Sequence, residues 1–310
     1  MSADQPEITS RSRYPGSKPF TTAQKDLFFG RDNDIRNLHS MVLVKQLVVL
    51  YGKSGFGKSS LINAGIVPKL ITENKYQCFS VRFNNFHTND INNKMPVETV
   101  IDWIKSSSPI NFKSPLTILT HGENTFWYWI KTLQWNNRSQ PFILFFDQFE
   151  ELFTYPPAEI EAFSKNLAEV LYIPIPVKYR NELAILDEKG ELEDDFHDFL
   201  YDIPNIKIVL SIRSDRLSLL NNLTEQHSSI FQNCYELAPL TKKQAEEAID
   251  KPSQLTGDYD TPSFQYTREA ILKVINGIAS KSDGTIETAM LQILCIYVED
   301  ILVLGQKKFL

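Results

Sequence analysis

The chain of 310 residues has only three cysteines, Cys78, Cys234 and Cys295, widely spaced and odd in number. That excludes a disulfide framework or a thiolate metal site as its organising feature. Each cysteine lies in an apolar run, where a buried free thiol is expected. No apolar stretch reaches the roughly 18 residues of a membrane span, and no secretory apolar region opens the sequence. The expectation is a soluble protein of a reducing compartment, the cytoplasm, without a membrane partner. Basic charge is not in excess: 32 Lys and Arg face 38 Asp and Glu, for a net charge of −6. A nucleic-acid partner is therefore not expected. Trp103, Trp127, Trp129 and Trp135 cluster in a mostly helical stretch, but without the interleaved Lys and Arg of a base-stacking surface. Packing in a helical core is the reading that fits. Internal repeats and a guanine-specifying Asn-Lys-x-Asp stretch are also absent.

What is present is sharper. Gly52-Lys53-Ser54-Gly55-Phe56-Gly57-Lys58-Ser59, followed by Ser60, is a complete G-x-x-x-x-G-K-[ST] phosphate loop. The apolar run 46–51 before it suits a buried strand, and the residues from Lys58 to Ala64 can start a helix. Glycines let the loop take turns that a Cβ would block, so that successive N–H groups and the helix N-terminus surround a polyphosphate. Lys58 is placed to reach the β- and γ-phosphates, and the Ser59 hydroxyl to ligate Mg²⁺.

Around this loop the chain alternates strands and helices as far as about residue 238, then becomes helical only. Residues 1–12 read as a flexible tail, 13–239 as an α/β nucleotide-binding domain and 240–310 as a small helical lid. Strands are predicted near 76–83, 142–147, 206–212 and 234–237. They form a parallel five-stranded sheet in the order 2-3-4-1-5. A crossover helix is predicted over 158–171, and the acidic stretch 174–204 reads as an insertion facing solvent. Thr241 and Gln244 make a capping box for a helix expected to stop before Pro252. Ile271, Val274, Ile275 and Ile278 form one apolar helical stripe. Leu291, Leu294, Cys295, Val298, Ile301 and Leu302 form another.

Asp147 ends the apolar run 142–146, where P-loop proteins hold Mg²⁺ through water; a helix N-cap is its alternative role. Hydrolysis needs a base or a water-orienting group. The residue directly after Asp147 is Gln148, so Glu150 or Glu151 is the candidate base, and Gln148 is a group that orients water without taking its proton. This arrangement suggests slow turnover. Arg213, just past the strand 206–212, offers fork-shaped donors suited to sensing a γ-phosphate, with a surface ion pair to Asp215 as the alternative.

These elements resemble the STAND class of P-loop NTPases within the AAA+-like division, and most closely the novel STAND group of bacteria. The resemblance rests on Tyr14-Pro15-Gly16 with Pro19-Phe20, Phe28-Phe29-Gly30-Arg31, the phosphate loop with Ala64-Gly65 and Pro68, Asp147-Gln148-Phe149-Glu150-Glu151-Leu152-Phe153, Ile212-Arg213-Ser214-Asp215, and Glu247 to Pro252. It implies that Phe29, Gly30 and Arg31 line the adenine side of ATP or ADP, that Arg213 is the sensor, and that Pro252 lies near the nucleotide. It also implies a switch that rests with ADP and self-associates with ATP, in signalling or anti-phage defence. Effector and sensor parts of such switches are not found in this chain. The rival readings are a nucleotide-locked scaffold without hydrolysis, a DNA-acting AAA+ ATPase of the initiator or loader type, and a small-molecule kinase.

Overall fold

The computed structural model describes residues 12–88, 93–106, 115–119, 125–137, 140–280 and 284–307. They divide into two compact units. A sheet unit gathers 38–51 and 69–236; a helical unit gathers the residues up to 37, Gly52–Pro68 and those from 237 onward. Helix α1 (Asp32–Val44) runs from one stretch into the other.

Five strands build the sheet: β1 (Leu47–Gly52), β2 (Gln77–Arg82), β3 (Phe142–Asp147), β4 (Ile206–Arg213) and β5 (Cys234–Glu236). Their order is β2-β3-β4-β1-β5, the predicted one, and the registered pairs are parallel. Phe142 to Phe146 are all buried, because a parallel strand covered on both faces has no solvent side to alternate toward. The parallel pairing brings the carboxyl ends of β2, β3 and β4 to one edge.

Helices α4 (Pro96–Ser106), α5 (Phe126–Asn136) and α6 (Pro157–Tyr172) pack on one another beside this sheet. Trp127 is fully buried, stacked on Tyr179, and its indole N–H donates to the Pro174 carbonyl at 2.6 Å. Trp103, Trp129 and Trp135 are partly buried and pack against the same core, the helical packing their setting implied. The acidic stretch, read as an insertion facing solvent, is exposed over much of its length but also buries an apolar stripe. It folds into α7 (Val177–Glu188) and α8 (Asp194–Tyr201), which bury Tyr179, Leu183, Phe196 and Leu200. Those four apolar positions at helical spacing outweigh the charges, which take the outer faces.

In the helical unit the chain from Lys58 starts α2 (Lys58–Ser60), passes through a π-helical stretch (Leu61–Ile66) and continues as α3 (Val67–Thr72). The capping box forms: the Thr241 amide donates to Gln244 Oε1 at 2.8 Å and the Gln244 amide to Thr241 Oγ1 at 3.3 Å. Helix α9 (Lys242–Gln254) does not stop before Pro252 but encloses it. Proline gives up its own N–H bond and crowds the carbonyl four residues back, and Pro252 sits only two residues before the end of the helix. The end of the helix is held by the Leu255 amide on the Pro252 carbonyl and the Phe264 amide on that of Ser253. In α10 (Arg268–Ile278), Ile275 is buried, and Ile271, Val274 and Ile278 pack against the same core. In α11 (Thr288–Lys307), Leu291 and Cys295 face inward but Ile301 is 49% exposed. Glu299 takes the inward place there, because Arg13 reaches it through a buried ion pair of 3.0 Å. The three cysteines are free, with Cys295 buried and the other two half-buried. Among the described residues no helix is long and apolar enough to cross a membrane.

Candidate functional site

Two groups of residues carry the chemistry, one in each unit. In the helical unit, the phosphate loop turns at Gly57, whose φ of +92° belongs to the left-handed region that an L side chain resists. Lys58 Nζ arches back over the loop and donates to the carbonyls of Gly52 at 2.8 Å and Lys53 at 3.3 Å. Lys53 and Ser54 are exposed and Ser59 is half-buried. Ser60 is buried, and its hydroxyl accepts from the Phe20 amide at 3.1 Å, tying the entry segment to the loop's helix.

The outer carbonyls of the loop are held from behind. The Gly55 carbonyl accepts from the Ala289 amide at 3.0 Å. The Phe56 carbonyl accepts from Arg31 Nη2 at 2.9 Å and from Thr288 Oγ1 at 3.2 Å. Arg31 is 2% exposed, and its guanidinium also donates to the Ala238 carbonyl and pairs with Asp34 at 3.0 Å. Gly30 allows this approach: with φ at +81°, an added Cβ would lie 2.3 Å from the Gln244 carbonyl oxygen. The loop's curvature is thus fixed by protein contacts, and a preformed ring of backbone dipoles beside an ammonium and two hydroxyls fits a polyphosphate.

Next to the loop is a narrow cleft lined by Phe20, Leu27, Phe28, Phe29, Leu240 and Ala248, together with Arg31, Thr288 and Gln292. Phe29 is half-buried at its rim, with the Lys251 ammonium 5.5 Å from its ring centre. Pro252 is buried in α9 but is not among the lining residues.

In the sheet unit, Asp147 lies within β3, and its Oδ1 accepts from the fully buried Ser211 hydroxyl at 3.1 Å. Gln148 follows with φ of +53°, a conformation few non-glycine residues adopt, and turns the chain into the 3₁₀ helix Phe149–Thr154. Phe149 is the anchor of that turn. It is fully buried among Phe83, Phe146 and Phe163, with ring centres 5.8–6.2 Å away. Its burial leaves Glu150 and Glu151 at the half-buried surface. Glu150 Oε2 accepts from the Arg213 amide at 3.3 Å. The Glu151 carboxyl is pushed above the ordinary range, first by desolvation and then by Glu150, against the lowering influence of Arg82, Arg213 and Arg216. The Arg213 fork engages Asp215 through bonds of 3.0 and 2.9 Å.

Residues 14–269 match the family described as Novel STAND NTPase 1. The chain belongs to that family. This STAND protein is therefore a P-loop NTPase, as its motifs implied. Solved structures agree on the fold. The Walker-type ATPase PABY2304 of Pyrococcus abyssi has a TM-score of 0.53 at 16% identity, covering 93% of this chain and 73% of that one. The Aeropyrum pernix ORC2 protein in its ADP form has a TM-score of 0.53 at 13% identity, covering 88% and 65%. The same protein in its ADPNP–ADP complexes gives 0.52 at 13%, covering 87% and 63%. The STAND chain thus spans less than two thirds of the ORC2 chains. No curated protein matches it.

Sequence reasoning missed Ser211, Thr288, Ala289 and Gln292. Ser211 stands two residues before Arg213 in an apolar strand, and an isolated hydroxyl there was the available signal. Thr288 to Gln292 begin an apolar helix and carry no local mark of contact with the loop.

Proposed function

We propose that this STAND protein is an ATP-binding, slowly hydrolysing regulatory switch core, cytoplasmic, acting in bacterial signalling or anti-phage defence and self-associating in the ATP state. The supporting observation is the Arg31 clamp. One buried guanidinium holds the Phe56 carbonyl of the phosphate loop, the Ala238 carbonyl and the Thr288 hydroxyl together. A shift of the loop on phosphate binding is thereby passed to the start of α11.

In this reading, 13–239 is the nucleotide-binding domain and 240–310 the lid. The backbone from Gly52 to Ser60 cradles the phosphates, Lys58 neutralises them, and Phe29, Gly30, Arg31 and Pro252 line the adenosine side. A Mg²⁺ ion held here would supply positive charge to offset that developing on the phosphates. Ser59 and Asp147 offer the oxygen donors that such a hard cation takes, and Ser211 orients the Asp147 carboxylate. Glu151, whose carboxyl desolvation holds above the ordinary range, takes the proton of the attacking water. Glu150 and Gln148 position it. Arg213 exchanges Asp215 for the γ-phosphate. Effector and sensor parts act as further domains or partners.

The test is single-turnover ATP hydrolysis by wild type, Glu150→Ala and Glu151→Ala, with sizing in ADP and in ATP. Slow hydrolysis lost in Glu151→Ala, with larger species only in ATP, is the expected result. Bound ATP that stays intact in every variant would make the chain a nucleotide-locked scaffold, and turnover raised by DNA would point to a DNA-acting ATPase.

A further inference from the structure

The Gln292 side chain is out of place as a core residue. It is 5% exposed, it lines the apolar cleft beside the phosphate loop, and its Oε1 is buried without a hydrogen-bond partner. A buried acceptor left unpaired is costly, and native structures rarely keep one without a use. Its position ties it to the nucleotide. Gln292 follows Thr288 by four residues on α11, so the two share a helix face one turn apart. Thr288 Oγ1 is on the Phe56 carbonyl of the phosphate loop, and the cleft receives both side chains. Most of the surroundings are rings and aliphatic chains, Phe20, Leu27, Phe28, Leu240 and Ala248, and the two donors in the lining, Arg31 and Thr288, are engaged with the Ala238 and Phe56 carbonyls. The room in the cleft is about that of one water. An exocyclic amino group is of that size and brings the N–H that Oε1 lacks.

We propose that Gln292 is the base-reading residue of this site, its Oε1 accepting a hydrogen bond from the 6-amino group of adenine. The base lies against Phe29 at the rim, and only its amino edge enters the cleft. This assignment rests on the nucleotide reading above and deepens it, giving the preference for adenine a physical cause in one side chain.

The probes are ADP and the diphosphate of purine riboside, which keeps the ring, sugar and phosphates but has hydrogen at position 6. Affinities are measured calorimetrically for wild type, Gln292→Leu and Gln292→Met, each checked by thermal melting. Wild type is expected to bind ADP about tenfold more tightly than the 6-hydrogen analogue, the value of roughly one hydrogen bond. Both variants are expected to bind the two ligands alike, at about the wild-type affinity for the analogue, and to melt no lower than wild type without ligand. Using two apolar replacements of different shape guards against one failing to fold. If the variants keep the wild-type preference, or if wild type shows none while binding both, Gln292 does not read the base and the nucleotide reading stands. If wild type binds neither diphosphate, the nucleotide reading falls first and this one with it.

Discussion

A carboxyl group and an ammonium group in the sheet unit show how burial sets chemistry one residue at a time. Glu151 and Glu150 are neighbours in sequence, yet desolvation and the adjacent charge act on Glu151 to raise its pKa. As base, Glu151 must be ionised, so the hydrolysis rate should fall as pH is lowered through a pKa above the ordinary Glu range. Single-turnover rates across the acidic range check this. Glu151→Gln should bind ATP, lose at least about a hundredfold in rate, a typical general-base contribution, and show no such limb. Lys131 is the converse. It is fully buried, donates to the carbonyls of Phe199 and Asp202 at the end of α8, and desolvation lowers its pKa to about 8. The folded state therefore releases this proton before the unfolded state does. Its contribution to stability is least favourable below pH 8 and improves as pH rises toward the ordinary lysine value. Urea unfolding at pH 7 and pH 10 should show wild type gaining up to about 3 kcal/mol relative to Lys131→Met, with the buried phenols cancelling in the difference.

Two buried arginines, Arg13 and Arg31, join elements here in addition to the hydrophobic clusters. Arg13 donates to Thr261 and Leu255, pairs with Glu299 and lies 4.2 Å from the Tyr259 ring centre. This fixes the entry segment onto α11. Arg13→Met should destabilise the fold by about 3–5 kcal/mol because it strands the Glu299 carboxylate, and Glu299→Leu added to it should restore most of the loss. Denaturant titration of the single and double variants checks this, and a double variant no better than the single would remove the ion pair as the cause. At this scale the sequence was legible wherever pattern and local chemistry agree. The run 142–146 had to be a doubly covered strand, the eight-residue loop had to follow one, and Thr241 with Gln244 had to open a helix. It was illegible where a long-range partner decides. Nothing local marks Glu299 as an inward-facing residue; its partner Arg13 lies 286 positions away. Tyr179 and Phe196 were hidden among acidic residues that only the outer helix faces carry. Pro252 was read as a stop although its missing N–H costs the last turn little. The phosphate loop was fully legible as a site, whereas its supports at Thr288 and Ala289 were not, since no local residue pattern encodes a hydrogen bond to a distant carbonyl.

For the whole molecule, the switch reading makes a demand that nucleotide binding alone does not. A ligand moves a conformational equilibrium only by the difference in its affinity for the two states. ADP and ATP held by one cradle with equal preference for both states would each stabilise the chain and switch nothing. Reversing a 99:1 population takes about 5.5 kcal/mol of difference, which the γ-phosphate must supply through contacts that ADP lacks. Arg213 is the residue whose fork can change partner, from Asp215 to that phosphate. Glu151→Gln is expected to slow hydrolysis about a hundredfold, so thermal melting of this variant with Mg²⁺ and either nucleotide, each at 100 times its Kd, separates the effects. Mass action alone gives about 2.7 kcal/mol in both cases. The switch reading requires the ATP complex to depart from that value or to change size, and it requires Arg213→Ala to bring the two nucleotides together. Equal stabilisation and equal size in ADP and ATP would leave a P-loop NTPase whose two bound states are the same, and the regulatory reading would be withdrawn.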